Sequence, residues 1–207
     1  KSFINIITTL DITLAYPLIE PLINELLYLK NNVVFINAED YSLDSKYRNY
    51  INYEDSNFDK VFMDLESYIA SKYSVYKTNN YNKNIFGDIA NITVIIDGIS
   101  SFMNKISDDN KAKFKDLCSM GKDLGIMNII IIDSVDNIRK VEAEAWYKNS
   151  VNGNDGIWIG NGINEQFSLK VTQRTKELKE ELPDNFCFVV NRGKPVLTKL
   201  VEEFELS

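Results

Sequence analysis

The stretch IITTLDITLAYPLIEPLI, residues 6–23, decides the fold of this chain because it joins a buried strand to an amphipathic helix through a short turn. Apolar side chains such as Leu18 and Leu22 recur at helical spacing after the turn. Pro17 and Pro21 are tolerated only near the start of such a helix. In α/β domains that bind nucleotides, a first strand, a phosphate loop and a first helix come in this order. This turn contains neither glycine nor lysine.

The rest of the chain alternates strands and helices. We predict strands over residues 3–7, 33–37, 92–97, 127–132 and 156–160, and helices over residues 17–29, 58–73, 110–124 and 139–147. Residues 77–84 (KTNNYNKN) have no period and predict an exposed loop. The tail FCFVVNRGKPVLTKLVE, residues 186–202, predicts a β-hairpin that turns at residues 191–194. The pattern indicates one α/β domain over residues 1–207, with a mostly parallel sheet and helices on both faces.

Composition excludes several classes of function. The chain has 207 residues, a formal net charge of −7 and no histidine. Its acidity disfavours a nucleic-acid partner. The absence of histidine excludes imidazole bases and Ser-His-Asp triads, and the two cysteines, Cys118 and Cys187, fit no zinc spacing and are predicted to be buried thiols. No apolar run reaches membrane-spanning length. The chain begins with Lys rather than Met, so we expect it to be a fragment of a larger protein.

Three strand ends are candidates for a ligand site, because ligands of such sheets bind beyond the carboxyl ends of the strands. They are residues 8–15 after the first strand, Asp97 after the third, and Asp133 with Ser134 after the fourth. In a P-loop NTPase these places hold the motif G-x-x-x-x-G-K-[ST], an acid linked to magnesium, and a polar sensor. The positions of a nucleotide site are therefore present in the sequence.

Three segments carry a family resemblance: VIIDGISSFM (residues 94–103), GIWIGNGINEQF (156–167) and FCFVVNRGKPVLTKL (186–200). In this order and spacing they resemble the last ATPase-like domain of the FtsK/SpoIIIE-type coupling proteins of type VII secretion, the EssC/YukB family. The resemblance covers most of the chain and implies a RecA-like P-loop NTPase fold. It also implies a place on the cytoplasmic side of the membrane, at the end of a membrane-anchored translocase with tandem ATPase modules that form a hexamer.

The same resemblance sets the register of the turn. It places Thr8 and Thr13 at the two P-loop glycines, Leu14 at the lysine and Ala15 at the magnesium-binding hydroxyl. Asp97 falls at the Walker B aspartate. Because glycine lets backbone N–H groups approach phosphate and lysine supplies charge, these replacements predict a degenerate and inactive nucleotide site. We expect no cofactor in this domain; ATP and magnesium would be its cofactors if the site were active.

The acidic residues around the turn have less specific interpretations. Asp11 lies inside the turn and would repel phosphate. Gly98 follows Asp97, where a catalytic glutamate usually positions water, so Asp97 is either the relic of a metal site or a strand-end carboxylate held by backbone or solvent. Asp133 and Ser134 match the sensor by location alone, and a plain strand-end turn is the alternative.

Charged residues elsewhere also leave two interpretations. Arg174 and Arg192 are candidates for arginines that reach into a neighbouring module's site, or are ordinary surface arginines. Glu39 and Asp40 show no acid–base arrangement and are predicted to be solvated. Trp158, beside two glycines, is predicted to pack in the core or at a domain edge.

Two functions remain open. The first is a non-catalytic module that recognises secreted helical-hairpin substrates or partner modules and regulates the upstream ATPase modules of the same chain. The alternative is a nucleotide-binding or slowly hydrolysing ATPase module that powers translocation; DNA pumping is disfavoured by the acidic charge. Under the first hypothesis, the apolar side chains Leu10, Ile12, Leu14 and Tyr16 are the predicted docking surface.

Overall fold

The computed structural model describes residues 4–39, 41–42, 51–53, 58–86, 92–125, 127–173, 175–183 and 185–200. Its strands, in chain order, are β1 (Ile4–Thr9), β2 (Asn32–Asn37), β3 (Ile51–Tyr53), β4 (Ile92–Asp97), β5 (Met127–Ser134), β6 (Val151–Ile159), β7 (Phe186–Asn191) and β8 (Lys194–Lys199). They form an eight-stranded sheet in the order β3-β2-β4-β5-β1-β6-β7-β8. Strands β1 to β6 pair in parallel, whereas β7 and β8 are antiparallel and form the predicted C-terminal hairpin.

The α-helices are α1 (Tyr16–Tyr28), α2 (Phe58–Thr78), α3 (Ile99–Lys105), α4 (Asp108–Leu124), α5 (Val135–Val141) and α6 (Ala145–Ser150). Short 3₁₀ helices span Ile12–Ala15, Lys83–Phe86, Ile163–Glu165 and Glu177–Lys179. Within the described residues, none of these helices has both the length and the apolar character that crossing a membrane requires.

Two apolar layers hold the sheet between helices. On one face, Ile19 and Ile23 of α1 pack with residues such as Ile95 of β4. On the other face, α2 to α6 cover a larger core that includes Phe102 and Trp158. Alternate residues of each buried strand point to opposite faces, so nearly continuous apolar runs serve both layers. The predicted α/β class, the parallel sheet and its helices on both faces are confirmed.

Some predicted boundaries were wrong for local reasons. The helix predicted over residues 139–147 is two helices, because Ser134 caps an earlier start through a bond from the backbone N–H of Asn137 (3.3 Å) and Glu144 is extended. Helix α2 continues to Thr78, into the predicted loop. Helix α3 and strand β3 were not predicted. The first strand runs on through Thr8 and Thr9, since both pair with β5 and β6.

Candidate functional site at the carboxyl edge of the sheet

The turn between β1 and α1 is a short 3₁₀ helix rather than an open loop. Thr8 is the second-last residue of β1 and is fully buried, and its Oγ1 has no hydrogen-bond partner among the described residues. The 3₁₀ helix begins at Ile12 and ends at Ala15, which has no exposed surface. Helix α1 begins at Tyr16, directly after it. Of the residues aligned to the phosphate loop, Thr8 therefore belongs to the sheet, and the others to the 3₁₀ turn.

Asp11 caps this turn with its own carboxylate. Its Oδ1 accepts hydrogen bonds from the backbone N–H of Thr13 (3.0 Å) and from the Thr13 hydroxyl (2.8 Å), and its carbonyl oxygen accepts one from Leu14 N–H (3.0 Å). The two bonds from Thr13, first the one from its backbone N–H and then the one from its hydroxyl, lower the pKa of Asp11. An N-cap aspartate satisfies the same free N–H groups that bind anions at a helix start. The chain's own carboxylate therefore lies at the start of the turn, where a phosphate would bind.

Two leucines of the turn are exposed over a glycine-rich turn that follows β6. Leu10 is 55% exposed and Leu14 is 48% exposed. A Cβ built on Gly160 would lie 3.0 Å from Leu14 Cδ1, and one on Gly162 would lie 3.2 Å from Leu10 Cδ1. Both glycines have positive φ, 81° and 87°. We call the set Leu10, Ile12, Leu14 and Tyr16 the apolar turn. Ile12 and Tyr16 are both half-buried.

Trp158 holds the turn after β6, residues 160–162, which we call the glycine turn. It has no exposed surface, as predicted, and its Nε1 donates to the carbonyl oxygens of Gly160 (2.8 Å) and Asn161 (3.2 Å). Because Trp158 pairs with Thr8 across β1 and β6, the two turns are held at a fixed separation by the sheet. The segment GIWIGNGINEQF and the opening stretch of the chain therefore meet at one place.

Asp97, the last residue of β4, is a buried carboxyl group near Tyr16 of the apolar turn. It has no exposed surface, and among the described residues neither of its side-chain oxygens has a hydrogen-bond partner. Burial, and then the charges of Glu39 and Asp133, raise the pKa of Asp97 to about 7. A carboxyl group in such surroundings favours its neutral form. The sequence left two interpretations of Asp97, the relic of a metal site or a strand-end carboxylate held by backbone or solvent. The second does not fit the burial and hydrogen bonding of Asp97 in the described residues.

Glu39 corrects another expectation from the sequence. It was predicted to be solvated, but it is only partly exposed, and its Oε1 accepts a hydrogen bond from the Ser101 hydroxyl. The glycine at position 98, with φ of 81°, leaves room for this side chain, since a Cβ there would clash with Glu39. Packing against α3 therefore brings a second carboxylate towards Asp97. Asp40 lies outside the described residues.

Asp133 and Ser134 have structural partners at the end of β5. The Asp133 carboxylate accepts hydrogen bonds from the backbone N–H groups of Ser100 (3.3 Å) and Ser134 (2.7 Å) and from the amide of Asn137 (2.9 Å). Burial raises the pKa of Asp133, and these bonds oppose the rise. The Ser134 hydroxyl caps α5. The strand-end turn thus accounts for both side chains.

Arg192 is not at this edge of the sheet. Arg192 is exposed in the hairpin turn with φ of 51°, and its backbone N–H donates to Asp155 Oδ1 (2.8 Å). Asp155 precedes the residue of β6 that pairs with Ile6, whereas the apolar turn follows Thr9. Arg192 therefore lies towards the opposite edge of the sheet, and its role towards a neighbouring module stays a prediction. Arg174 lies outside the described residues.

A groove beside Leu10 was not predicted from the sequence. Its volume is about 660 Å³, and it lies between the glycine turn and the 3₁₀ helix Glu177–Lys179. Leu10 and the buried Leu178 give it apolar walls, and the carboxylates of Glu165, Glu180 and Glu181 surround it. The only sequence feature that could have indicated this groove is the densely charged stretch KELKEEL, residues 176–182. That stretch does not show which of its side chains face Leu10.

The side chains present in the turn do not fit a nucleoside triphosphate with magnesium. Such a site needs glycines that turn N–H groups towards phosphate, a lysine and a magnesium-binding hydroxyl. In the register that the sequence resemblance implies, Leu14 and Ala15 stand at the last two positions. The Asp11 carboxylate accepts from the Thr13 N–H, and Asp97 is fully buried. Among the described residues, no group of three His, Cys, Asp or Glu side chains could hold a metal ion. What the turn offers is apolar surface.

The order of the strands, with helices on both faces of the sheet, is that of a RecA-like α/β fold. In structure the chain is similar to the cytoplasmic domain of EssC, with 10% identity and a TM-score of 0.74 over 95% of this chain and 39% of that one. EssC (ATPases 2 and 3) from Geobacillus thermodenitrificans matches with 10% identity and a TM-score of 0.73 over 96% of this chain and 37% of that one.

Thermomonospora curvata EccC (ATPases 2 and 3), solved in complex with a signal sequence peptide, matches with 15% identity and a TM-score of 0.64 over 98% of this chain and 37% of that one. The chain thus spans well under half the length of these three proteins. No family model and no curated protein matches the sequence. The resemblance to secretion ATPase domains that the sequence motifs predict is confirmed at the level of the fold.

Proposed function

We propose that this chain is the terminal ATPase-like module of a type VII secretion translocase, and that it recognises secreted substrates without binding nucleotide. The observation that carries the proposal is the turn between β1 and α1, a capped 3₁₀ helix at the place of a phosphate loop, where Leu10 and Leu14 are half-exposed. The module is not catalytic in this proposal. It regulates the upstream ATPase modules of the same chain through what it binds.

The apolar turn suits a helical partner. Burying a fully exposed leucine side chain contributes about 1.5–3 kcal/mol, so completing the burial of two half-exposed leucines contributes roughly the same amount. Amphipathic helices use such contacts, spaced along one face, to bind apolar grooves. The EccC structure with a signal sequence peptide shows a protein of the same fold bound to a peptide. The proposed partner is accordingly the export signal of a secreted helical-hairpin protein.

The position of the module in the cell follows from the same proposal. The parent protein is anchored in the membrane, and this module lies on its cytoplasmic side as one of several tandem ATPase-like modules. The parent assembles as a hexamer. A module without nucleotide chemistry then transmits the presence of substrate to neighbouring modules that hydrolyse ATP.

The test is a titration of this chain with a labelled export-signal peptide from a helical-hairpin secreted protein. We expect saturable binding that Leu14→Ser weakens roughly tenfold, because about 1.4 kcal/mol of apolar contact is lost. Leu197→Ser is the matched control, since Leu197 is 50% exposed on β8, away from the turn. The affinity should be the same with and without magnesium and ATP. Equal losses in the two variants, or no saturable binding, would contradict the proposal.

A further inference from the structure

The groove beside Leu10 is continuous with the apolar turn. Leu10 contributes to both, because it packs over Gly162 and lines the groove. The opposite wall is Leu178, which is buried in the 3₁₀ helix Glu177–Lys179. A helix or extended segment that covers Leu10 and Leu14 therefore continues over the groove. This inference rests on the proposed function, because it concerns the chemistry of the same bound segment.

The charge around the groove has one dominant sign. Glu165, Glu180 and Glu181 line it and are exposed, and Lys179 is the single cation among its described lining residues. A phosphate-bearing ligand would be repelled by this set. A cationic side chain would be attracted, since opposite charges at the rim of an interface steer encounter and specify the partner.

We propose that this groove binds the basic flank of the docked segment, a peptide in which lysine or arginine side chains follow the apolar residues that cover Leu10 and Leu14. The aliphatic stem of such a side chain packs on Leu10 and Leu178, and its charged head reaches the carboxylates of Glu180 and Glu181. The apolar turn supplies most of the affinity. The acidic rim selects segments that carry positive charge.

The test uses two labelled synthetic peptides with the same helix-forming apolar core, one flanked by three lysines and the other by three glutamines. Fluorescence anisotropy measures their dissociation constants for the whole chain at low and high ionic strength. We expect the lysine peptide to bind about tenfold more tightly at low salt, since each exposed ion pair contributes modestly. At high salt the preference should shrink, while the glutamine peptide keeps its affinity.

Two variants separate the groove from the overall negative charge. Glu180→Gln with Glu181→Gln should bring the preference for lysine down to about twofold. Asp116→Asn with Asp123→Asn makes the same change of charge on the exposed side of α4 and should leave the preference intact.

Three outcomes would overturn the inference in different ways. Equal binding of both peptides, abolished by Leu10→Ser, would reject the basic flank and leave the proposed function standing. A lysine preference that survives in the Glu180 and Glu181 variant would show non-specific attraction to an acidic protein. Failure of both peptides to bind, with Leu10 and Leu14 intact, would overturn the proposed docking surface together with the inference.

Discussion

Replacing Asp97 by asparagine should stabilise the protein at neutral and alkaline pH. Asparagine has nearly the same shape as aspartate and cannot ionise. The native carboxyl group is fully buried, and neither of its oxygens has a hydrogen-bond partner in the part of the chain that the structure describes. Above its pKa of about 7 the folded protein must therefore hold a buried negative charge, which is costly. The variant avoids that cost.

The magnitude follows from the difference between the folded and unfolded states. The ordinary pKa of this group is 3.8, and burial together with the charges of Glu39 and Asp133 raises it to about 7. The rise is about three pKa steps of about 1.4 kcal/mol each, so the free energy of unfolding of Asp97→Asn should exceed that of the native protein by roughly 4 kcal/mol at high pH.

The dependence on pH has a definite sign. Between pH 3.8 and about 7 the folded state keeps its proton on Asp97 while the unfolded state loses it. The free energy of unfolding therefore falls as pH rises through that window. Below the window Asp97 is protonated in both states and causes no loss of stability. Two phenols also lie near Asp97. Burial and then the charge of Asp97 raise the pKa of Tyr16, and burial, Glu20 and Asp97 raise the pKa of Tyr41.

The assay is urea denaturation of both proteins from about pH 4 to about pH 8, with equal slopes m as the check that the folds match. The stabilisation by Asp97→Asn should vanish near pH 4 and reach its full size near pH 8. Asp116→Asn, an exposed change of the same charge on α4, should show no such dependence. If Asp97→Asn destabilised the protein at pH 8, Asp97 would be an ionised group with favourable partners, and the account of its burial would be refuted.

Two further predictions concern the turns around the site. Asp11→Ala should lower the melting temperature at neutral pH, because it removes the carboxylate that accepts hydrogen bonds from Thr13. The effect should shrink at low pH, where the Asp11 carboxylate, whose pKa is lowered, becomes protonated. Asp11→Asn, which can still accept the bonds, is the control. Gly162→Ala should cost more stability than Gly125→Ala, by about 1 kcal/mol, because both glycines have positive φ but only the Cβ at 162 would press on Leu10. Equal melting temperatures for the two alanine variants would mean that Leu10 moves aside freely.

The sheet could be predicted from the sequence because its strands are buried on both faces. Residues 92–97 were predicted with the same bounds that β4 has, since an unbroken apolar, β-branched run fits a central parallel strand. The hairpin was equally clear from the glycine at position 193. The break between α5 and α6 was missed because helix periodicity continues through it, while the capping hydroxyl of Ser134 was assigned only to a strand end.

The candidate site was only partly predictable. The apolar side chains of the turn follow from the sequence, and Leu10 and Leu14 are indeed exposed. Their packing over Gly160 and Gly162 could not be predicted, because it joins residues about 150 positions apart through the pairing of β1 with β6. The approach of Glu39 to Asp97 was hidden for the same reason. Local patterns do not report contacts that the order of strands creates.

The central claim is that the turn after β1 no longer serves a nucleotide. Calorimetric titration of the chain with ATP and magnesium tests it most directly, with a thermal scan as a parallel measurement. Binding at about 100 times the dissociation constant would add about 2.7 kcal/mol to stability, which raises the melting temperature measurably. We expect no saturable heat and no shift in melting temperature. A micromolar dissociation constant for ATP with magnesium would contradict the claim.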